Sequence, residues 1–272
     1  SIFLQTFKVI NGFKVAEGNE VNQELLDVLK SSKWDAKYIG EYGEEHLYNN
    51  NPNAPYLVPS KTSYGIFIGD RELNSLNYQY INSENFPALK EGKISYDPKQ
   101  NLLTFYGVTI EGNNSGMPAI RQAESNTATL TIVSHHKNTV HFPEGFGIIV
   151  SKGSLCFTGE GNLMINNQSA AASIRVSGHL TIKDKGSVST NAHIEVGQTI
   201  TINKSYLRVK TDRPENIAIY GNEGITLKDC MVLTPKEATV EQVDDFYTFV
   251  KNGEICPEVE IGYSKSEAMP LP

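Results

Sequence analysis

A three-residue strand pattern that recurs six times constrains this chain more than any other feature. Leu103-Thr104-Phe105, Leu130-Thr131-Ile132, Leu155-Cys156-Phe157, Leu180-Thr181-Ile182, Ile200-Thr201-Ile202 and Ile225-Thr226-Leu227 follow one another at spacings of 27, 25, 25, 20 and 25 residues. Strand side chains alternate faces, so the outer members of each triplet share an apolar face and the middle member turns the other way. A second apolar segment follows each triplet: Val108 to Ile110, Val140 to Phe142, Leu163 to Ile165, around Val188, Leu207 to Val209, and Met231 to Leu233. A third precedes the later ones, at Ile148 to Val150, Ile174 to Val176, Ile194 to Val196 and Ile217 to Ile219. Three strands per 20 to 27 residues predict one rung of a three-sided β-helix. The leucine-rich-repeat consensus is missing, and no Asn-Gly or Asp-Gly turn separates these segments as a hairpin-built sandwich requires. Six rungs at a strand spacing of roughly 4.8 Å would stack on the order of 24 Å.

The fold class expected is all-β, a right-handed single-stranded parallel β-helix over residues 61–235. Both ends of such a coil are open edges that recruit other chains unless covered. After the last rung, Thr239-Val240-Glu241-Gln242 reads as a capping box, with Val243, Phe246 and Val250 at helical spacing and Gly253 as a stop. That predicts a helix over 240–251 inside a C-terminal cap of residues 236–272. At the other end Asn22 can cap a helix to about Ser32, with Val21 stapled to Leu26. The run Asn49-Asn50-Asn51-Pro52-Asn53-Ala54-Pro55 has the turn chemistry of a long loop, so residues 1–60 are assigned to an N-terminal cap or small accessory region.

The net charge of −7 and the lack of any Lys/Arg cluster argue against a nucleic-acid partner. No apolar run reaches the roughly 18 residues of a membrane-spanning helix. The chain starts on Ser-Ile-Phe-Leu-Gln, with neither Met nor the blocks of a signal peptide; the expectation is an exported protein whose signal has been removed. Cys156, Cys230 and Cys256 show no Cys-x-x-Cys spacing; Cys156 and Cys230 read as small buried residues, with a Cys230 to Cys256 staple as the alternative.

Tyr64-Gly65-Ile66-Phe67-Ile68-Gly69-Asp70-Arg71-Glu72-Leu73, and Gly92-Lys93-Ile94-Ser95-Tyr96-Asp97-Pro98 leading into Leu103-Thr104-Phe105, carry a family resemblance. They resemble the opening of β-helical cell-surface proteins of gut-type, Bacteroides-like bacteria, which belong to the pectate-lyase-like class. With the rungs, the likeness covers roughly residues 64 to 235. It implies an extracellular, cell-surface or periplasmic setting and carries over no catalytic residues or cofactor.

Polysaccharide-cleaving β-helices need carboxylates gathered on one face. One position past each strand the rungs present Gly107, Ser134, Gly159, Asp184, Lys204 and Asp229, and Lys204 between two aspartates reads as an ion ladder. Glu160, Glu195 and Glu223 read as turn residues without a common column. The Thr file is interrupted by Cys156 and bordered by Tyr106, Val133, Thr158, Lys183, Asn203 and Lys228, so Thr serves here as a good strand former. His135, His136 and His141 are weak metal candidates, because adjacent strand residues point to opposite faces. Eight of the thirteen Tyr and the only Trp precede residue 100. Trp34, Tyr38, Tyr42, Tyr48 and Tyr56 either stack on sugars or form the core of the N-terminal region. The expectation is a non-enzymatic, adhesin-like or glycan-binding surface scaffold with no cofactor. The alternatives are a polysaccharide lyase or glycoside hydrolase, and a purely structural segment of a larger surface protein.

Overall fold

The computed structural model describes residues 62–263 except 76, 113–115, 168–170 and 212–216, together with the backbone of five strands between residues 7 and 59. The chain divides into two compact units, Ser1–Thr62 and Ser63–Pro272. In the first, β1 (Phe7–Val9), β2 (Phe13–Val15), β3 (Trp34–Ile39), β4 (Glu45–Leu47) and β5 (Tyr56–Pro59) form an antiparallel sheet in the order β1-β2-β5-β3-β4. The helix expected from Asn22 to about Ser32 lies outside the described residues.

The second unit opens with β6 (Ser63–Ile68), β7 (Arg71–Asn74), β8 (Leu89–Asp97) and the long β9 (Leu102–Glu111). The repeating part follows as β10 (Ile120–Gln122), β11 (Leu130–His135) and β12 (Lys137–Phe142), then β13 (Ile148–Val150), β14 (Leu155–Thr158) and β15 (Asn162–Asn167). Next come β16 (Ile174–Val176), β17 (Leu180–Lys183), β18 (Ser187–Thr190), β19 (Ile194–Val196), β20 (Thr199–Asn203) and β21 (Tyr206–Lys210). The last turn holds β22 (Ile219–Gly221), β23 (Gly224–Lys228) and β24 (Cys230–Thr234), and the chain closes on β25 (Thr239–Val243), β26 (Phe246–Lys251), β27 (Glu254–Ile255) and β28 (Glu258–Tyr263).

Three parallel columns define the solenoid. The first is β10-β13-β16-β19-β22, the second β9-β11-β14-β17-β20-β23, and the third β9-β12-β15-β18-β21, with β9 serving two columns. The fold is thus an all-β parallel β-solenoid of about five turns, not the six expected. The sixth turn is interrupted because β28 inserts antiparallel between β21 and β24. In the second column Leu130, Leu155, Leu180, Ile200 and Ile225 stand in register, as the repeat predicts. The first triplet is displaced by two residues: Leu103 pairs with Ile132 and Tyr106 with His135. A shift of two keeps every side chain on its face, so apolar patterning alone cannot distinguish the two registers. The last segment of the first column also sits two residues later than expected, with Ile219 opposite Ile194.

The core runs up the middle of the columns. Leu103, Ile132, Leu155, Leu180, Ile182, Ile200, Ile202, Ile174, Ile194 and Leu207 are all fully buried. Each such side chain contributes roughly 1.5–3 kcal/mol on leaving water. Buried amides close the corners: Asn138 accepts from Val108 N at 2.8 Å and donates to the carbonyls of His135, His136 and Asn162 at 3.0–3.2 Å. Gly161 sits where a Cβ would stand 2.3 Å from the His136 carbonyl oxygen, so the turns stack too closely there for any side chain.

Strands, not helices, cover both ends of this unit. β6 pairs antiparallel with β10 and β8 with β9, which ends the parallel stack at the start. At the other end the helix expected over 240–251 is the β25-β26 hairpin, with Val243 opposite Phe246 across Asp244-Asp245 and Thr248 opposite Tyr220 of β22. Thr, Val, Phe and Tyr favour pleated surface, and the open edge of β22 supplies a partner that a helix would leave unpaired. The Thr239 hydroxyl donates to the Glu241 carboxylate at 2.9 Å instead of capping a helix. Gly253 is not a helix stop: Asn252 and Gly253, both at positive φ, form the two-residue turn between β26 and β27. Cys156, Cys230 and Cys256 are free thiols, Cys156 and Cys256 buried and Cys230 half-buried.

Candidate functional site

Every turn points the middle residue of its first-column strand outward, because its two neighbours point inward; Arg175 is exposed and the others are half-buried. The cross-strand registers align these residues as Phe67, Arg121, Ile149, Arg175, Glu195 and Tyr220. Glu195 was expected in a turn; it lies in the centre of β19, in a shared column with both arginines. The file forms part of a shallow cleft of about 470 Å³ lined by Arg175, Glu195, Tyr220, Ser151, Ser177 and Asn222 among others.

Glu195 is the electrostatic centre of this cleft. It accepts from His193 Nε2 at 2.9 Å and from Arg175 Nε, and Tyr220 stands next to it in register on β22. The His193 hydrogen bond, followed by that of Arg175, holds its carboxyl down at about 2 against the opposing effect of burial. Tyr220 is pushed up, first by burial and then by the Glu195 charge. Arg175 lies over the Phe146 ring, 4.5 Å from its centroid, and Arg121 lies over Phe67 at 3.8 Å. Among the described residues no ion-pair partner stands beside Arg121.

A second cleft, of about 670 Å³, opens at the corner of the first turn. Tyr64, Tyr96, Lys99, Asn101, Asn126 and Thr131 are among its lining residues. Tyr64 packs edge-on against Tyr78 at 5.7 Å and tilted on Tyr96 at 5.5 Å. The Tyr96 hydroxyl donates to Asn101 Oδ1 at 2.8 Å, and burial pushes its pKa up to about 12. Asn126 Nδ2 donates to the Tyr64 carbonyl at 2.8 Å and to Asn101 Oδ1 at 3.0 Å. Asn101 in turn donates to the fully buried Gln122, whose Nε2 reaches three carbonyls at 2.8–3.0 Å. The cleft thus has one part-exposed ring, Tyr64, backed by the buried Tyr96, and a rigid amide floor, with hydroxyls of Ser125, Thr127, Thr129 and Thr131 around it.

Of the ring residues singled out in the sequence, Trp34 and Tyr38 lie on β3 and Tyr56 on β5, where the backbone alone is described; Tyr42 and Tyr48 lie outside the described residues. His135 stacks on Tyr106 at 4.8 Å with the rings 9° apart, His136 occupies the corner at φ 62°, and His141 stands opposite Glu111 and Asn166. Among the described residues no group of three or more His, Cys, Asp or Glu stands close enough to hold a metal ion. In the anticipated ion ladder Lys204 reaches Asp229 at 3.8 Å, while Lys183 pairs with Asp184 at 3.6 Å and Lys185 with Glu160 at 2.9 Å. No protein-family model, curated protein or solved structure matches this chain.

Sequence reasoning missed Arg121, Arg175, Glu195 and Tyr220 as a group. Their signal was present: each is the middle residue of an Ile-x-Gln, Ile-x-Val or Ile-x-Gly triplet. The middle positions of the first-column strands, taken together like those of the Thr file, make up the set.

Proposed function

We propose that this protein is an exported, adhesin-like solenoid that binds glycans without cleaving them. The carrying observation is the corner cleft, where the part-exposed Tyr64 ring, backed by the buried Tyr96, stands beside an amide and hydroxyl rim. Pyranose rings present apolar C–H faces and equatorial hydroxyls, and a tyrosine flanked by Asn and Thr offers stacking for the first and hydrogen bonds for the second. Asn101 is anchored from behind by the buried Gln122 and by the Thr129 carbonyl, so the floor is pre-organised and binding costs little ordering. The non-enzymatic part of the reading is supported by Glu195: a carboxyl held near 2 stays ionised at neutral pH and is a poor proton donor to a glycosidic oxygen. The right-handed, pectate-lyase-like and cell-surface character stays part of this proposal, on the resemblance of residues 64 to 105.

A glycan array followed by calorimetry with the strongest neutral oligosaccharide tests it. Lys99→Ala and Tyr64→Ala are expected to weaken binding about tenfold, with thermal melting used to verify that each variant is folded. No binding by the wild type overturns the glycan reading. Release of reducing or unsaturated ends from pectin or mucin glycans overturns its non-enzymatic half.

A further inference from the structure

The outer-face file carries an uneven charge arrangement whose chemistry differs from that of the corner cleft. Arg175 is satisfied by Glu195 on one side and Phe146 beneath, whereas Arg121, two turns along, is fixed over Phe67 with no carboxylate beside it among the described residues. Stacking on a ring immobilises the guanidinium and leaves its N–H fork free to meet a planar anion in two parallel hydrogen bonds. Ile149 lies between the two arginines in register, half-buried and without polar atoms. Strands in one column are roughly 4.8 Å apart, so the backbone positions of the two arginines stand on the order of 10 Å apart along the axis with an apolar step between them, and the Arg121 guanidinium leans over Phe67 on the side away from Ile149. Ser151, Ser177 and Asn222 border the file with hydrogen-bonding groups.

We infer that this face binds an acidic polysaccharide in which charged and uncharged sugars alternate, laid along the solenoid axis. A carboxylated sugar meets Arg121, the neutral sugar rests on Ile149, and the next charged sugar reaches the exposed side of Arg175. A polymer charged at every unit is disfavoured, because it would press a carboxylate against Ile149 without a hydrogen-bond donor. Glu195 fixes Arg175 and excludes a second anion from the far end of the file. This surface shares no residue with the corner cleft, so it stands or falls separately from the function proposed above.

Surface plasmon resonance with the immobilised protein decides it, using three probes: hyaluronan (one carboxylate per disaccharide), polygalacturonate (one per sugar) and neutral dextran. Hyaluronan is expected to bind most tightly and to weaken severalfold when salt rises from about 50 mM to about 200 mM. Arg121→Gln is expected to weaken it about tenfold. Ile149→Asp, which sets a carboxylate between the two arginines on an outward position, is expected to abolish it. Unaltered melting temperatures show that the outward variants are folded. Equal binding by Arg121→Gln and the wild type overturns the inference, as does equal or tighter binding of polygalacturonate, or no hyaluronan binding at all.

Discussion

Glu195 makes the charge network of the outer face measurable. In the unfolded chain its carboxyl titrates near its ordinary value of 4.5, and in the folded protein it is held at about 2, chiefly by His193 and then by Arg175. The unfolded state therefore binds the proton first as pH falls. The stabilisation is fully present above about pH 4.5 and is lost as pH falls through about 2. The whole shift corresponds to a ceiling of about 3 kcal/mol. The Arg175 side chain is 49% exposed, so solvent screens its share and an effect of about 1.5 kcal/mol is the expected size. Urea unfolding followed by circular dichroism at pH 7, 4, 3 and 2.5 reads it out, with Glu195→Gln as the comparison. At pH 7 the variant should unfold at a lower urea concentration by about 0.5–1 M, and the two midpoints should converge toward pH 2.5. Parallel curves for wild type and variant over this range would refute the assignment of the shift to Glu195.

Three further outcomes follow from packing. Asn138→Ala leaves the Val108 amide and three carbonyls at a buried corner without their partner, and is expected to cost about 2–4 kcal/mol by urea titration. Gly161→Ala should destabilise more than Gly107→Ala in thermal melts: an added Cβ meets the His136 carbonyl oxygen at 2.3 Å in the first and open space in the second, where positive φ alone costs about 1 kcal/mol. Ile200→Ala, fully buried in the fifth turn, should cost about 2–5 kcal/mol, whereas Ile225→Ala on the half-buried terminal strand costs less than half of that. Equal losses at the two isoleucines would show that the terminal turn is packed as tightly as the interior.

Some of this architecture was legible from residues alone. The apolar triplets at Leu130, Leu155, Leu180, Ile200 and Ile225 predicted both a parallel stack and its register, because a buried column forces the same inward positions on every turn. The first turn escaped, since Leu103 opposite Ile132 and Leu103 opposite Leu130 bury the same face. Thr239 to Lys251 escaped for a different reason. Its apolar residues fit helical spacing, and only the unpaired edge of β22 made the hairpin the better partner. The inserted β28 likewise has no local signature: nothing in Glu258 to Tyr263 says that it will lie between β21 and β24.

The candidate sites divide along the same line. The sequence by itself determined which side chains point outward, because alternation along a strand is a local property. It therefore contained the Arg121, Ile149, Arg175, Glu195 file. Tertiary structure alone decided which of those outward residues touch. The ionised state of Glu195 is set first by His193, two residues away along the chain, and then by Arg175 reaching across from the preceding turn, and the corner cleft depends on Asn126 reaching back to Tyr64 across sixty-two residues. Contacts of that range are set by how the turns stack, which short-range periodicity does not encode.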